Sequence, residues 1–291
     1  MIGMLAGLLG LVVGLVIGAL GGGGGVLSVP ALVYLLGQDA RAATTGSIVI
    51  VGVVSAVGVL SRLRDGRIAW GTGLAFGAVG VPAAWAGTLL NRTVPQPALL
   101  LSFAVLTIGV AVLLLVRGSA EPAPAGTAGP DGSAGPDGSA GLDAAAGSAE
   151  PVAGGRGAAV AARRGRAAQA VRVTGSAAVV GVLTGFLGVG GGFLVVPALV
   201  IVLGMSMPAA IATSLLVLTF NAASSLGARV GDLTVDWAVL GPFVGVAVGA
   251  ALLGKLVADR LSSAALGRGF AVLLLLVGGA VGGESVVEVL R

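Results

Sequence analysis

The stretch Gly18 to Gly37, GALGGGGGVLSVPALVYLLG, sets five consecutive glycines, Gly21 to Gly25, inside a run with no charged residue. A helix can cross a bilayer on leucine and valine alone, and each glycine weakens it by about 1 kcal/mol relative to alanine. Five residues without side chains therefore imply that bare backbone is needed at that point. The apolar arm that follows, Val26 to Leu36, has 11 residues and would rise only ~16 Å as a helix, half of a ~30 Å hydrocarbon core. The stretch predicts a helix broken near the bilayer midplane rather than a simple span.

The rest of the chain fits a membrane. Of 291 residues 56% are hydrophobic and 10% charged, with a mean hydropathy of +1.08, whereas soluble domains carry about 25% charged residues. Residues 1–38, 42–61, 68–91, 93–116, 173–228, 237–254 and 269–283 contain no Asp, Glu, Lys or Arg. Most of these windows reach or approach the ~20 residues of a membrane helix, and 173–228 is long enough for more than one pass. The net charge of +4 comes from arginines that cluster in loops between apolar segments, so membrane topology explains it and nucleic acid is not an expected partner. Met1 to Leu20 has no basic residue ahead of its apolar run and no A-x-A site after it, which predicts a retained membrane segment.

Chemistry is limited by what is missing. The chain has no cysteine and no histidine, which removes disulfides, thiolates and the commonest metal ligand and general base. With no carboxylate inside an apolar window either, no group is available to activate a nucleophile or a water, so neither an enzyme nor a cofactor is expected. The glycines of GFLGVGGG suggest a dinucleotide fingerprint, but that motif needs an acidic residue ~20 positions on, and MPAAIATSLLVL supplies none.

Between Gly118 and Gly157 the hydrophobic pattern gives way to Gly, Pro, Ala, Ser and Asp, with GPDGSA repeated in tandem at Gly129 and Gly135. That composition predicts a disordered linker, ending in a basic run of Arg156, Arg163, Arg164 and Arg166 that reads as a positive-inside flank. The expected division is a first membrane repeat over 1–117, a cytoplasmic linker over 118–170 and a second membrane repeat over 171–291.

The two halves echo each other. GALGGGGGVLSVPALVYLLG aligns with GFLGVGGGFLVVPALVIVLG at Gly185 to Gly204, and Pro197 follows Pro30 by 167 residues. The same offset links Ser47 to Ser214, Arg62 to Arg229, Asp65 to Asp232, Trp70 to Trp237 and the FAVL at Phe103 to that at Phe270. Each half reads as a broken element, with arms Ile2–Leu20 and Val26–Leu36 or Arg172–Leu187 and Phe193–Leu203, followed by three helices. Those helices are predicted near 43–61, 68–91 and 97–117, then 207–229, 235–257 and 264–282. Loop charge reverses between the copies. SRLRDGR carries three arginines against one in ARVGDLTVD, whereas Arg92 stands alone where the second half has Lys255, Arg260 and Arg268. By the positive-inside rule matching loops face opposite sides, as inverted repeats require. The all-α fold class expected is thus a polytopic membrane protein of two inverted halves.

Two glycine clusters, each followed by VPALV and each opening a hydrophobic half, closely resemble the sulfite exporter TauE/SafE family of bacterial permeases. The resemblance covers essentially every segment outside the linker. It implies transport of small anions, sulfite and related sulfur-containing or organosulfonate species, across a bacterial inner membrane. An anion channel and a membrane scaffold are the alternatives that sequence leaves open. The residue chemistry agrees with an anion. Half-helices beginning at Val26 and Phe193 would aim free N–H groups and positive dipole ends at the protein centre. The expected substrate-binding residues are Gly23, Gly24 and Gly25 with Ser28, Thr44, Thr45 and Ser47 in one half. Gly190, Gly191 and Gly192 with Thr213, Ser214 and Asn221 serve in the other.

Simpler roles compete at each position. Small residues let membrane helices pack closely, hydroxyls bond carbonyls of their own helix, arginines at helix ends such as Arg62 and Arg229 snorkel, and Trp70 and Trp237 anchor at the interface. Matched clusters before a short arm favour function over packing. Gly14 and Gly181, in the lead-in helices, are expected to tolerate bulk better than the clusters do.

Overall fold

A computed structural model describes residues 2–22, 24–32, 37, 40–91, 94, 96–118, 155–187, 192–227 and 237–289. Residues 119–154 of the linker expected over 118–170 and the candidates Gly23, Gly190 and Gly191 lie outside the described residues. The described chain forms α-helices and no strand: α1 Ile2–Leu20, α2 Gly24–Pro30, α3 Ala40–Arg62, α4 Trp70–Asn91 and α5 Gln96–Gly118, then α6 Gly155–Leu187, α7 Gly192–Ile201, α8 Met207–Gly227, α9 Trp237–Arg260 and α10 Ser263–Val289. One 3₁₀ turn, Leu63–Asp65, closes α3. Six of these helices are long and apolar enough to cross a membrane, and the apolar parts of α1, α5 and α7 are shorter. The protein is a multi-pass membrane protein.

The predicted spans and the observed helices agree to within a few residues, because charge-free windows of bilayer length leave the backbone no way to satisfy its polar groups in lipid except helix. Two boundaries differ by more than that, and one is the end of α10, which runs on to Val289 past the expected 282. Helix α6 starts at Gly155 rather than at Arg172, since the Ala/Arg-rich stretch ahead of Arg172 is made of strong helix formers.

Small residues decide which helices touch. Gly10, Gly14 and Gly18, spaced by four, lie on α1 against Phe243, Ala247 and Ala251 of α9, and a Cβ at Gly14 or Gly18 would fall well inside 3.0 Å of the facing carbonyl. The rising numbers on both sides make the pair parallel. Helices α4 and α6 pack in the same way through Gly87, Gly181 and Gly185, which face Val182, Gly80 and Ala84. Such backbone contact is how membrane helices gain dispersion energy where lipid gives no hydrophobic drive. Helices α3 and α8 instead run antiparallel, Gly52 facing Ala222 and Gly58 facing Leu215. So do α5 and α10, Gly278 facing Thr107 and Ile108, and Gly282 facing Ala104. Gly14 and Gly181, expected to tolerate bulk, are the reverse of tolerant: a side chain at either would pry apart a helix pair.

Candidate functional site

The break in the first half is a sharp turn. Gly21, at φ 75°, sits in the left-handed region open to glycine, its N–H donates to Ile17 O at 2.8 Å and closes the end of α1. Helix α2 then starts back from Gly24. Gly25 lies beside Val51, the central residue of α3. In the second half Gly192, which opens α7, lies beside Leu218, near the centre of α8. Both breaks thus lie halfway along the helices they pack on.

They also meet. A Cβ at Gly22 would fall well inside 3.0 Å of Gly192 O, and one at Gly192 would come to 2.9 Å from Gly22 O. The two runs of bare backbone touch each other between the halves, so glycine is required by close approach. Helix α7 is buried from Gly192 to Leu199, and Phe193 is held edge-on by Phe103 of α5, with ring centroids 5.3 Å apart.

The hydroxyl candidates are partly committed. Ser28 Oγ donates to Gly24 O at 2.7 Å, and Ser214 Oγ donates to Gly21 O and to Ile211 O, both at 2.8 Å. Thr213 Oγ1 accepts from Ala69 N–H at 3.1 Å, a bond from α8 to the chain entering α4. Thr45 and Ser47 are buried and Thr44 half-buried early in α3. Asn221 lies seven residues beyond Ser214 on α8, about 10 Å along the axis, away from the break. Its Oδ1, with Ser55 Oγ of α3, is buried without a hydrogen-bond partner among the described residues, a state that costs on the order of 1–3 kcal/mol per group. The structure therefore gathers Gly21, Gly22, Gly192 and Ser214 at one point, keeps Ser28 and Gly24 on the adjoining helix, and sets Asn221 apart. Gly21 and Gly22 belong to the quoted run, but only the tertiary contact singles them out. Gly24 is no open surface either, since a Cβ there would run into the Ile17 side chain, whereas one at Gly25 would make an ordinary 3.6 Å contact.

The two ends of the α3–α8 crossing differ. Toward Trp237 a cavity of about 510 Å³ opens between Gly52, Val53 and Ala56 of α3 and Thr219 and Ala222 of α8. At the other end charged groups close in. Asp65 pairs with Lys255 at 3.2 Å, Lys255 with Asp259 at 3.0 Å and Arg67 with Asp259 at 3.3 Å. Arg62 does not snorkel: it is 5% exposed, and its guanidinium donates to Gly58 O at 3.4 Å and to Gly18 O at 2.5 Å. Trp70 and Trp237, by contrast, are exposed at the starts of α4 and α9, as interfacial anchors should be.

The sequence model of the family described as sulfite exporter TauE/SafE matches residues 6–281. Two proteins from different strains of Xylella fastidiosa, each described as a probable membrane transporter protein, are 29% and 28% identical over 266 residues, covering 89% of this chain and 86% of each relative. No solved structure matches significantly.

Proposed function

We propose that this chain, which belongs to the sulfite exporter TauE/SafE family, carries small sulfur oxyanions, sulfite or an organosulfonate, and binds them where the two glycine breaks meet. The family and its relatives make the chain a membrane transporter of the bacterial inner membrane; the substrate and its site are the proposal. The observation that carries it is the approach of Gly22 to Gly192. Backbone N–H groups beside glycine let an oxyanion come close without any lysine, and the N-terminus of buried α7 adds positive potential at the same depth. Ser214, already donating to Gly21 O, stands within a rotamer change of such an ion.

The packing supports inverted halves. Shifting numbers by 167 residues turns the contact of Gly14 with Ala247 into that of Gly181 with Gly80, and the contact of Gly18 with Ala251 into that of Gly185 with Ala84. Under that exchange α3 and α8 trade places, as do α5 and α10. Both pairs are antiparallel, as a two-fold axis in the membrane plane demands and an axis along the membrane normal forbids. A carrier built so offers its central site to one side at a time. The wide cavity toward Trp237 and the closed Arg62 end fit one such state. Ser55 and Asn221 adjoin the lining residues Ala56 and Ala222 in the chain, and a half-turn of the Asn221 amide would offer donors to a passing anion.

Proton coupling usually needs an intramembrane carboxylate or histidine, and the aspartates of the crossing stand only at its end. The anion gradient and membrane potential are thus the driving forces. Uptake of labelled sulfite, sulfate, thiosulfate and methanesulfonate by the reconstituted protein, with and without a pH gradient, tests this reading. Saturable uptake of sulfite or the sulfonate, indifferent to the pH gradient, is expected. No uptake of any of the four would overturn it.

A further inference from the structure

We infer that Arg62 is an anion-docking cation at the closed end of the crossing, and that the ion pairs Asp65–Lys255 and Arg67–Asp259 are the latch that covers it. The inference rests on the permease reading above. A buried guanidinium ordinarily has a carboxylate partner, because removing a charge from water costs more than neutral acceptors return. Arg62 has no carboxylate within 4 Å among the described residues, Asp259 and Asp65 acting on it only from farther off, and its hydrogen bonds there go to two backbone carbonyls, which leaves donors of its five unused. One of those carbonyls, Gly18 O, lies three residues before Gly21, so the cation stands within a turn of the first glycine break. A guanidinium is also the side chain whose planar donors match two oxygens of a sulfur oxyanion.

The cover over it is drawn from both halves. Asp65 and Arg67 follow α3, whereas Lys255 and Asp259 end α9, so the 3.2 Å and 3.3 Å pairs tie one half to the other. Beneath them the space bordered by Arg62, Asp65, Pro208, Ile211, Ala258 and Asp259 shrinks to about 10 Å³, the lower limit for one water molecule. With the pairs formed, an anion meets two carboxylates before it meets Arg62. With the pairs parted, Lys255, Arg67 and Arg62 together present a cationic mouth that leads to Gly18 and the break. A latch of partly exposed charges suits this task, because such pairs are individually weak and open readily.

The test uses the full chain in proteoliposomes with Ala258→Cys as its single cysteine, probed by an impermeant maleimide. Methanesulfonate is the competing anion, since sulfite itself consumes maleimides. Labelling should be slow, and Asp65→Asn should speed it about tenfold by shifting the latch toward open. In that background methanesulfonate should slow labelling again, and Arg62→Gln should abolish the protection. Where Arg62→Gln fails to insert, the protection itself decides. Labelling unchanged by Asp65→Asn overturns the latch, and faster labelling with no protection overturns docking at Arg62. Uptake of the four anions by the unmodified protein is measured in parallel, so a failure of the permease reading appears there and not in the labelling.

Discussion

The two ends of the α3–α8 crossing, which the proposed duplication would make equivalent, are built from different chemistry. At the Arg62 end, Asp65, Arg67, Lys255 and Asp259 form a linked set of ion pairs. At the Trp237 end the crossing opens into a cavity lined almost wholly by apolar groups. Counting 167 residues from the charged set leads to Asp232, Thr234, Thr88 and Arg92, a composition that cannot rebuild the same lattice. Under the proposed duplication, divergence of a few loop residues has left the two ends with different side chains. Ion pairs part at small cost in water, whereas apolar walls must separate as packed surfaces, so in the proposed carrier the two ends would open at different cost.

The largest effects come from breaking the scaffold that both ends share. Gly18→Leu should cost about 3 kcal/mol or more by forcing α1 from α9, seen as loss of the monodisperse protein in detergent. Gly249→Leu and Gly175→Leu, where a Cβ meets nothing within 4 Å, should leave it intact, and equal behaviour of all three would refute the packing. Next comes transport itself. Gly22→Ala should remove nearly all flux, whereas Gly25→Ala should keep most of it, because only the former pushes a methyl into the opposite break. Equal rates for the two would move the site away from the meeting point.

The opposed orientation of the ends has its own check. Of Arg64→Cys and Thr234→Cys, made singly in this cysteine-free chain, only Thr234→Cys should label when whole cells meet an impermeant maleimide, and Arg64→Cys should label only after the cells are opened. Equal labelling of both would contradict the inverted arrangement.

How far the sequence reaches is clear from particular residues. Charge-free windows locate the spans, and Gly21 to Gly25 mark the break, because lipid punishes unsatisfied backbone and interrupted helices more than any other solvent does. The start of α6 is misplaced because arginines resemble a linker while alanines continue the helix. Arg62 reads as a snorkelling end residue because its acceptor, Gly18 O, is 44 residues away in the chain. Gly14 and Gly181 read as tolerant positions in the lead-in helices, yet each abuts a facing helix, because which glycines meet a neighbour depends on how the two halves pack. The same holds for the site: glycine runs are visible, but the approach of Gly22 to Gly192 is a tertiary fact.

Smaller effects sharpen the account. Ser214→Ala deletes the bond to Gly21 O and should lower stability by about 1 kcal/mol, read as a modest fall in melting temperature with transport reduced and not lost. Replacing residues 119–154 by a Gly/Ser linker of equal length should change neither insertion nor flux, because that composition cannot build a core. Loss of flux with normal insertion would assign the linker a regulatory role.

The most direct measurement of the central claim is counterflow. Proteoliposomes loaded with unlabelled sulfite and diluted into a trace of labelled sulfite should accumulate label transiently above equilibrium, because a site reached from one side at a time couples outward movement of one anion to inward movement of another. The overshoot should vanish in Gly22→Ala and survive in Gly25→Ala. Label that enters without overshoot, at a rate that does not saturate with sulfite, would contradict an alternating carrier and make the chain a channel.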